Sequence, residues 1–156
     1  MKNRTMHLIV ILAIAFAATG IARADSDGNR KGCSQATLEG LYVFSASGFS
    51  IVAGVAQPRA LTEFIRFNGD GTLSVPAVTL SINGAIFRGG GPGIAGTYSV
   101  ASDCTGMVAF GPPGPTFDLY VTPGGPQVHM IFTGGPVHVL GVVPGVLQGV
   151  AERVSR

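Results

Sequence analysis

Few residues of this chain are placed to do chemistry, and those few stand out by strand alternation rather than by a motif. Over Leu61–Asn68, Leu61, Glu63, Ile65 and Phe67 share one face of an extended segment, and Thr62, Phe64 and Arg66 share the other. If the first face lines an apolar interior, burial raises the Glu63 pKa and makes it a ligand anchor or a general acid. The plainer alternative is a carboxylate at a barrel mouth or on a solvated face. A tight turn at Gly124-Gly125 would set Tyr120 opposite His129, on the face that also carries Asp118 and Gln127. A Tyr–His pair can exchange protons, but this face is the polar one, and a solvent-facing cross-strand pair is the simpler reading. Glu63, Tyr42 and His129 are thus the candidate acid–base groups. Glu63, Tyr42, Phe44 and Phe67 are the candidate lining for a small apolar or amphipathic ligand.

Other motif-like stretches fail on their context. Gly91-Pro92-Gly93-Ile94-Ala95-Gly96 has the G-x-G-x-x-G spacing of a dinucleotide loop. However, a proline sits inside it and strand-like residues follow where a helix N-terminus is needed. Asn68-Gly69-Asp70-Gly71 lacks the later acidic ligands of a calcium loop. No serine lies in a G-x-S-x-G elbow. His129 and His138 have no paired Cys/His spacing for zinc. No metal and no cofactor is expected.

The elements that must position these residues are strands. Twenty-four glycines and ten prolines in 156 residues interrupt any long helix. Short runs rich in Val, Ile, Phe, Tyr and Thr alternate with glycine and proline clusters. They predict strands near Leu38–Ser47, Leu61–Asn68, Thr72–Ile82, Ile94–Ala101, Gly106–Phe110, Thr116–Thr122, Gln127–Thr133 and Val146–Arg153. Asn68-Gly69-Asp70-Gly71 and Pro123-Gly124-Gly125-Pro126 mark hairpins. Residues 51–59 read as a turn or irregular crossover, and residues 84–95 as a glycine-rich loop. The fold class is all-β: about eight antiparallel strands in a small closed or partly open barrel, with a two-sheet sandwich as the alternative.

Residues 1–24 read as a secretory signal peptide, with Lys2 and Arg4 before the apolar run Leu8–Ala18 and Ala22-Arg23-Ala24 as the cleavage site. That run spans only about 16 Å as a helix, roughly half of a bilayer core. Residues 25–37 form an N-terminal segment carrying Cys33, and residues 38–156 the barrel domain. Cleavage turns the formal charge from +2 to −1, because Lys2, Arg4 and Arg23 leave while all eight Asp and Glu stay. One lysine and scattered arginines argue against nucleic acid as a partner and against stable membrane association. In an oxidising compartment, periplasmic or extracellular, Cys33 and Cys104 are most simply a disulfide.

Several segments together resemble a family of exported bacterial proteins. They are Cys33, Leu38-x-Gly40-x-Tyr42-x-Phe44, Phe67-Asn68-Gly69-Asp70-Gly71-Thr72-Leu73 and Gly96-Thr97-Tyr98. Asp103-Cys104-Thr105-Gly106, Phe117-Asp118, Val128-His129-Met130-Ile131 and Gly149-Val150-Ala151-x-Arg153 extend the likeness to the C-terminus. The resemblance implies a calycin-like or allene-oxide-cyclase-like small barrel. It brings no established activity, so no catalytic residue is carried over. Gly89–Gly93 and Gly111–Pro115 depart from its pattern. The expected protein is an exported, non-enzymatic barrel that binds a small hydrophobic or amphipathic ligand inside. Two other classes stay open: a cyclase or isomerase using Glu63, Tyr42 or His129, and a filled barrel serving as a structural or interaction module. The state of the barrel interior separates them.

Overall fold

Inward apolar residues alternate with outward polar ones through most of the chain, and this alternation rolls one sheet into a tube. The computed structural model describes residues 32–91, 93–111, 114–137, 141–142 and 144–156; the signal peptide read at residues 1–24 and His138 lie outside them. Among the described residues a short 3-10 turn at Gln35–Leu38 precedes eleven strands. These are β1 (Gly40–Val52), β2 (Val55–Phe67), β3 (Thr72–Ile82), β4 (Ala85–Gly89), β5 (Ala95–Val100), β6 (Thr105–Phe110), β7 (Thr116–Val121), β8 (Gln127–Gly134), β9 (Pro136–Val137), β10 (Gly141–Val142) and β11 (Gly145–Ser155).

The main sheet runs β2-β1-β11-β8-β7-β6-β5-β3, and β2 also pairs with β3, which closes an eight-stranded antiparallel ring. The fold is a closed barrel, not a sandwich. β4 pairs with β3 outside the ring, while β9 and β10 pair only with each other.

The structure decides two readings of the loops. Residues 51–59 hold the turn and not the crossover: Ala53 and Gly54, both at positive φ, make a two-residue hairpin turn, and β2 begins at Val55, earlier than the predicted Leu61. The 84–95 stretch is not all loop, because Asn83 and Gly84 (φ 48° and 86°) turn the chain directly into β4. Pro58 argues against a strand in the sequence. It is tolerated because its carbonyl, receiving the Asn83 N–H at 2.8 Å, lies beyond Arg59–Ile82, the last pair of the β2–β3 ladder.

One end of the barrel, the floor, collects the turns after β2, β5 and β7. Asp70 Oδ1 accepts the Thr72 N–H (2.9 Å) and hydroxyl (2.6 Å), and Asp103 Oδ1 accepts the same two groups of Thr105 (3.0 and 2.7 Å). The two turns match position by position, Asp70-Gly71-Thr72 and Asp103-Cys104-Thr105, and both middle residues sit at positive φ (93° and 68°). Cys104 accepts this strain in a glycine's place and bonds to Cys33, pinning the N-terminal segment across the floor.

Strand length divides the barrel. β5, β6 and β7 have 6 residues each, whereas β1 and β2 have 13 and β3 and β11 have 11. The floor half is therefore ringed completely. Beyond it, β3 leaves β5 after Ser74, bulges at Val75-Pro76, and pairs with β4 from Val78 on. This second half, the mouth, is walled mainly by β11, β1, β2, β3 and β4.

Candidate functional site

Inside the floor half, every large side chain packs against another. Tyr42, Phe44, Ile65, Phe67, Leu73, Val108, Phe117, Leu119 and Val128 are fully buried. Phe67 meets Tyr42 and Tyr98 edge to face, with ring centroids 5.2 and 4.8 Å apart, and Phe44 meets Phe117 at 5.7 Å. Polar tips in this layer are also occupied. The Tyr42 hydroxyl donates to the Gly125 carbonyl (2.6 Å) and accepts from Arg153 Nε (2.8 Å), and the same guanidinium donates to the carbonyls of Thr37 and Gly124. Tyr98 donates to the Gln35 carbonyl (2.9 Å) and accepts the Gly69 N–H (3.0 Å). Burial pushes the Tyr42 phenol up, against the pull of Arg153. Gly125 is obligatory here: at φ 72°, an added Cβ would lie 2.4 Å from the Thr37 carbonyl oxygen.

The mouth half differs in kind. The inward face of β2 runs Phe67, Ile65, Glu63, Leu61 and Arg59, so two charged residues follow the apolar layer on one face. Glu63 lies between Phe44 of β1 and Val78 of β3 in register, and burial pushes its carboxyl up to about 7 while the Arg59 charge pulls it down. Arg59 is only 5% exposed. It reaches across the lumen: its guanidinium carbon stands 5.9 Å from the ring centroid of Phe132 on β8, which β1 and β11 separate from β2. Burial lowers the Arg59 pKa, with Glu63 acting in the opposite direction. Ser50, wholly buried on β1, faces the same space.

Two atoms in this group have no hydrogen-bond partner, Arg59 Nε and Ser50 Oγ. A buried donor left unmade destabilises by about 1–3 kcal/mol, more when charged, so such atoms mark a place where something else belongs. The surrounding wall carries little side-chain bulk. Inward positions of β1 and β11 around Ser50 are Ala46, Gly48, Gly145 and Gly149, with Leu147 the one large side chain among them. Val78, Leu80 and Phe132 face inward yet are only half-buried.

The structure therefore separates the candidates named above. Glu63 is interior, as its face predicts. Tyr42 and Phe67 lie in the sealed layer toward the floor, with the Tyr42 hydroxyl already engaged, and Phe44 lies at the top of that layer, directly beside Glu63 in register. His129 stands opposite Tyr120 as the turn at Gly124-Gly125 predicts, but on the outer, exposed face. There it lines a groove of about 960 Å³ with Ser45, Thr62, Tyr120, Gln148 and Glu152, on the other side of the barrel wall from Glu63. The three acid–base candidates do not converge. Arg59 and Ser50 escape the sequence reading, because β2 is predicted to begin at Leu61 and β1 to end at Ser47. Extending the same alternation two residues past Leu61 finds Arg59.

Fold and site together define a class: a disulfide-pinned, eight-stranded antiparallel barrel with a packed floor and a polar, inward-facing mouth. No known family model matches the chain, and no curated protein matches it. Among the described residues no helix is long and apolar enough to cross a membrane, and no cluster of His, Cys, Asp and Glu could hold a metal ion.

Proposed function

We propose that this protein is an exported, non-enzymatic barrel that holds a small amphipathic molecule in its mouth half. The ligand's apolar body lies against Leu80, Val78 and Phe132, and its polar end lies among Ser50, Arg59 and Glu63. The observation that carries this reading is the pair of buried, unpartnered polar atoms, Arg59 Nε and Ser50 Oγ, on the inward faces of β2 and β1. Export rests on the signal-peptide pattern and on the Cys33–Cys104 bond, which suits an oxidising compartment. Binding rather than turnover is favoured because the Tyr42 hydroxyl is already engaged by Gly125 and Arg153 and His129 stands on the outer face, so neither serves Glu63 as an acid–base partner.

Native mass spectrometry of protein recovered from its own exported compartment tests the reading. A co-purifying small molecule, released when Arg59 is replaced by Met, supports it. Bare protein that also takes up no amphiphile in titrations refutes it. The second reading, a filled structural or interaction module, draws on the packing of the floor half, and that outcome would leave it in place.

A further inference from the structure

The polar end of this site is specific about charge. It contains one guanidinium, Arg59, buried to 5% exposure, aimed across the lumen at Phe132 and with Nε unpaired. Glu63 is its nearest inward charged neighbour along β2, but Leu61 stands between them. Four residues along a strand separate the two Cα atoms by roughly 13 Å, so Glu63 is not a close-packed counter-ion. A buried cation without a contacting anion is a strongly unfavourable arrangement unless a bound group completes it.

From this geometry we infer that the ligand carries a single carboxylate, and that Arg59 grips it with Ser50 donating the supporting hydrogen bond. This deepens the amphipathic-ligand reading above and rests on it. Three comparisons single out the carboxylate. A cationic head would face Arg59 at close range in a poorly solvated space. A neutral head would leave the guanidinium charge uncompensated. A doubly charged head such as a phosphate monoester would meet one arginine and the Glu63 carboxyl together, with no second cation inward on β1, β2, β3, β8 or β11 of the mouth half. A planar carboxylate matches the guanidinium fork and accepts the Ser50 hydroxyl on its remaining lone pairs. Glu63 then acts on the bound carboxylate at a distance, through charge alone: once ionised it repels the ligand across the poorly solvated lumen.

The test uses three probes with the same eight-carbon chain: octanoate, 1-octanol and octylamine, titrated into the purified mature protein by calorimetry at pH 6. Octanoate should bind at least tenfold more tightly than either of the others. Arg59→Lys should weaken octanoate about tenfold by losing the fork, and Arg59→Met should reduce it to the level of octanol. Ser50→Ala should weaken it a few-fold. Glu63→Gln should retain binding and abolish the loss of affinity expected between pH 6 and pH 8. The groups that face Glu63 from β1 and β3, Phe44 and Val78, are apolar, so Arg59 is the charged group to which it answers. Near-ultraviolet circular dichroism and amide spectra of each variant establish that it is folded, and the Lys variant serves if the Met variant is not. Equal binding of octanol and octanoate, or undiminished octanoate binding in folded Arg59→Lys and Arg59→Met, overturns the carboxylate inference and leaves the amphipathic reading standing. Failure of all three probes to bind overturns both.

Discussion

At the scale of single residues, Glu63 and Tyr42 look alike in the sequence, as polar groups on inward faces, and the structure gives them opposite roles. Glu63 has its carboxyl raised from 4.5 to about 7 by burial, so between those values the folded protein holds a proton that the unfolded chain has released. Stability must then fall as pH rises through this window, by at most about 3 kcal/mol and less where solvent screens the half-buried carboxyl. Glu63→Gln should remove that slope. Urea midpoints at pH 5 and pH 8 should converge in the variant and diverge in the wild type, and an unchanged slope would rule the assignment out. Tyr42, by contrast, has its hydroxyl held by Gly125 and Arg153. Tyr42→Phe should lower stability by about 1–3 kcal/mol through the loss of a buried, charge-assisted network, and leave octanoate binding where it was. A variant that loses binding without losing stability would return Tyr42 to the functional site.

At the scale of elements, what was legible depends on how local each signal is. β3, β6, β7 and β8 are each bounded by a turn residue and alternate cleanly, and their predicted limits fall within a residue or so of the observed ones. β4 was missed although Asn83-Gly84 is a strong two-residue hairpin signal, because the glycines from Gly89 on read as one long loop. Each of the first two strands is longer than predicted, since Ala53-Gly54 resembles no standard turn pair and Pro58 reads as a break. These errors hid the mouth, because Ser50 and Arg59 lie on the extensions. The disulfide was legible from its compartment and count, but its seat in a turn was not. Asp103-Cys104-Thr105 copies Asp70-Gly71-Thr72, so Cys104 occupies a left-handed position that glycine fills without strain. Two effects can therefore be separated. Cys33→Ala with Cys104→Ala loses the cross-link, roughly 4 kcal/mol in the chain-entropy model, and keeps a Cβ at the strained left-handed position. Cys33→Ala with Cys104→Gly should recover about 1 kcal/mol of that loss. Guanidinium unfolding of both pairs beside the oxidised wild type measures the difference, and identical midpoints would show that the turn bears no strain.

For the whole molecule, the barrel is one continuous sheet with two unequal halves. Its last ring pair joins Leu41 to Ser155, so closure waits for contacts across nearly the whole described chain, and folding should be slow for the barrel's size. Once closed, the floor half is braced by ring packing, the Arg153 network and the disulfide. The mouth half has none of these. Its hairpin β4 is exposed along all five residues, and the tip between β1 and β2 projects beyond β3. Such a division should appear as two levels of amide exchange: rates near the global unfolding limit for Phe44, Leu119 and Val128, and far faster exchange for Ile86, Phe87 and residues 51–56. Octanoate, which only the closed mouth binds, should slow exchange at Ser50, Arg59, Leu80 and Phe132 by a factor of one plus the ratio of free ligand concentration to Kd, and the floor amides, which exchange through global unfolding, by the same factor. The gap between the two levels therefore persists with and without ligand. A single level of protection in both halves would mean that the barrel opens as a single unit, and that the mouth is not the separately adjustable compartment its short neighbouring strands make it.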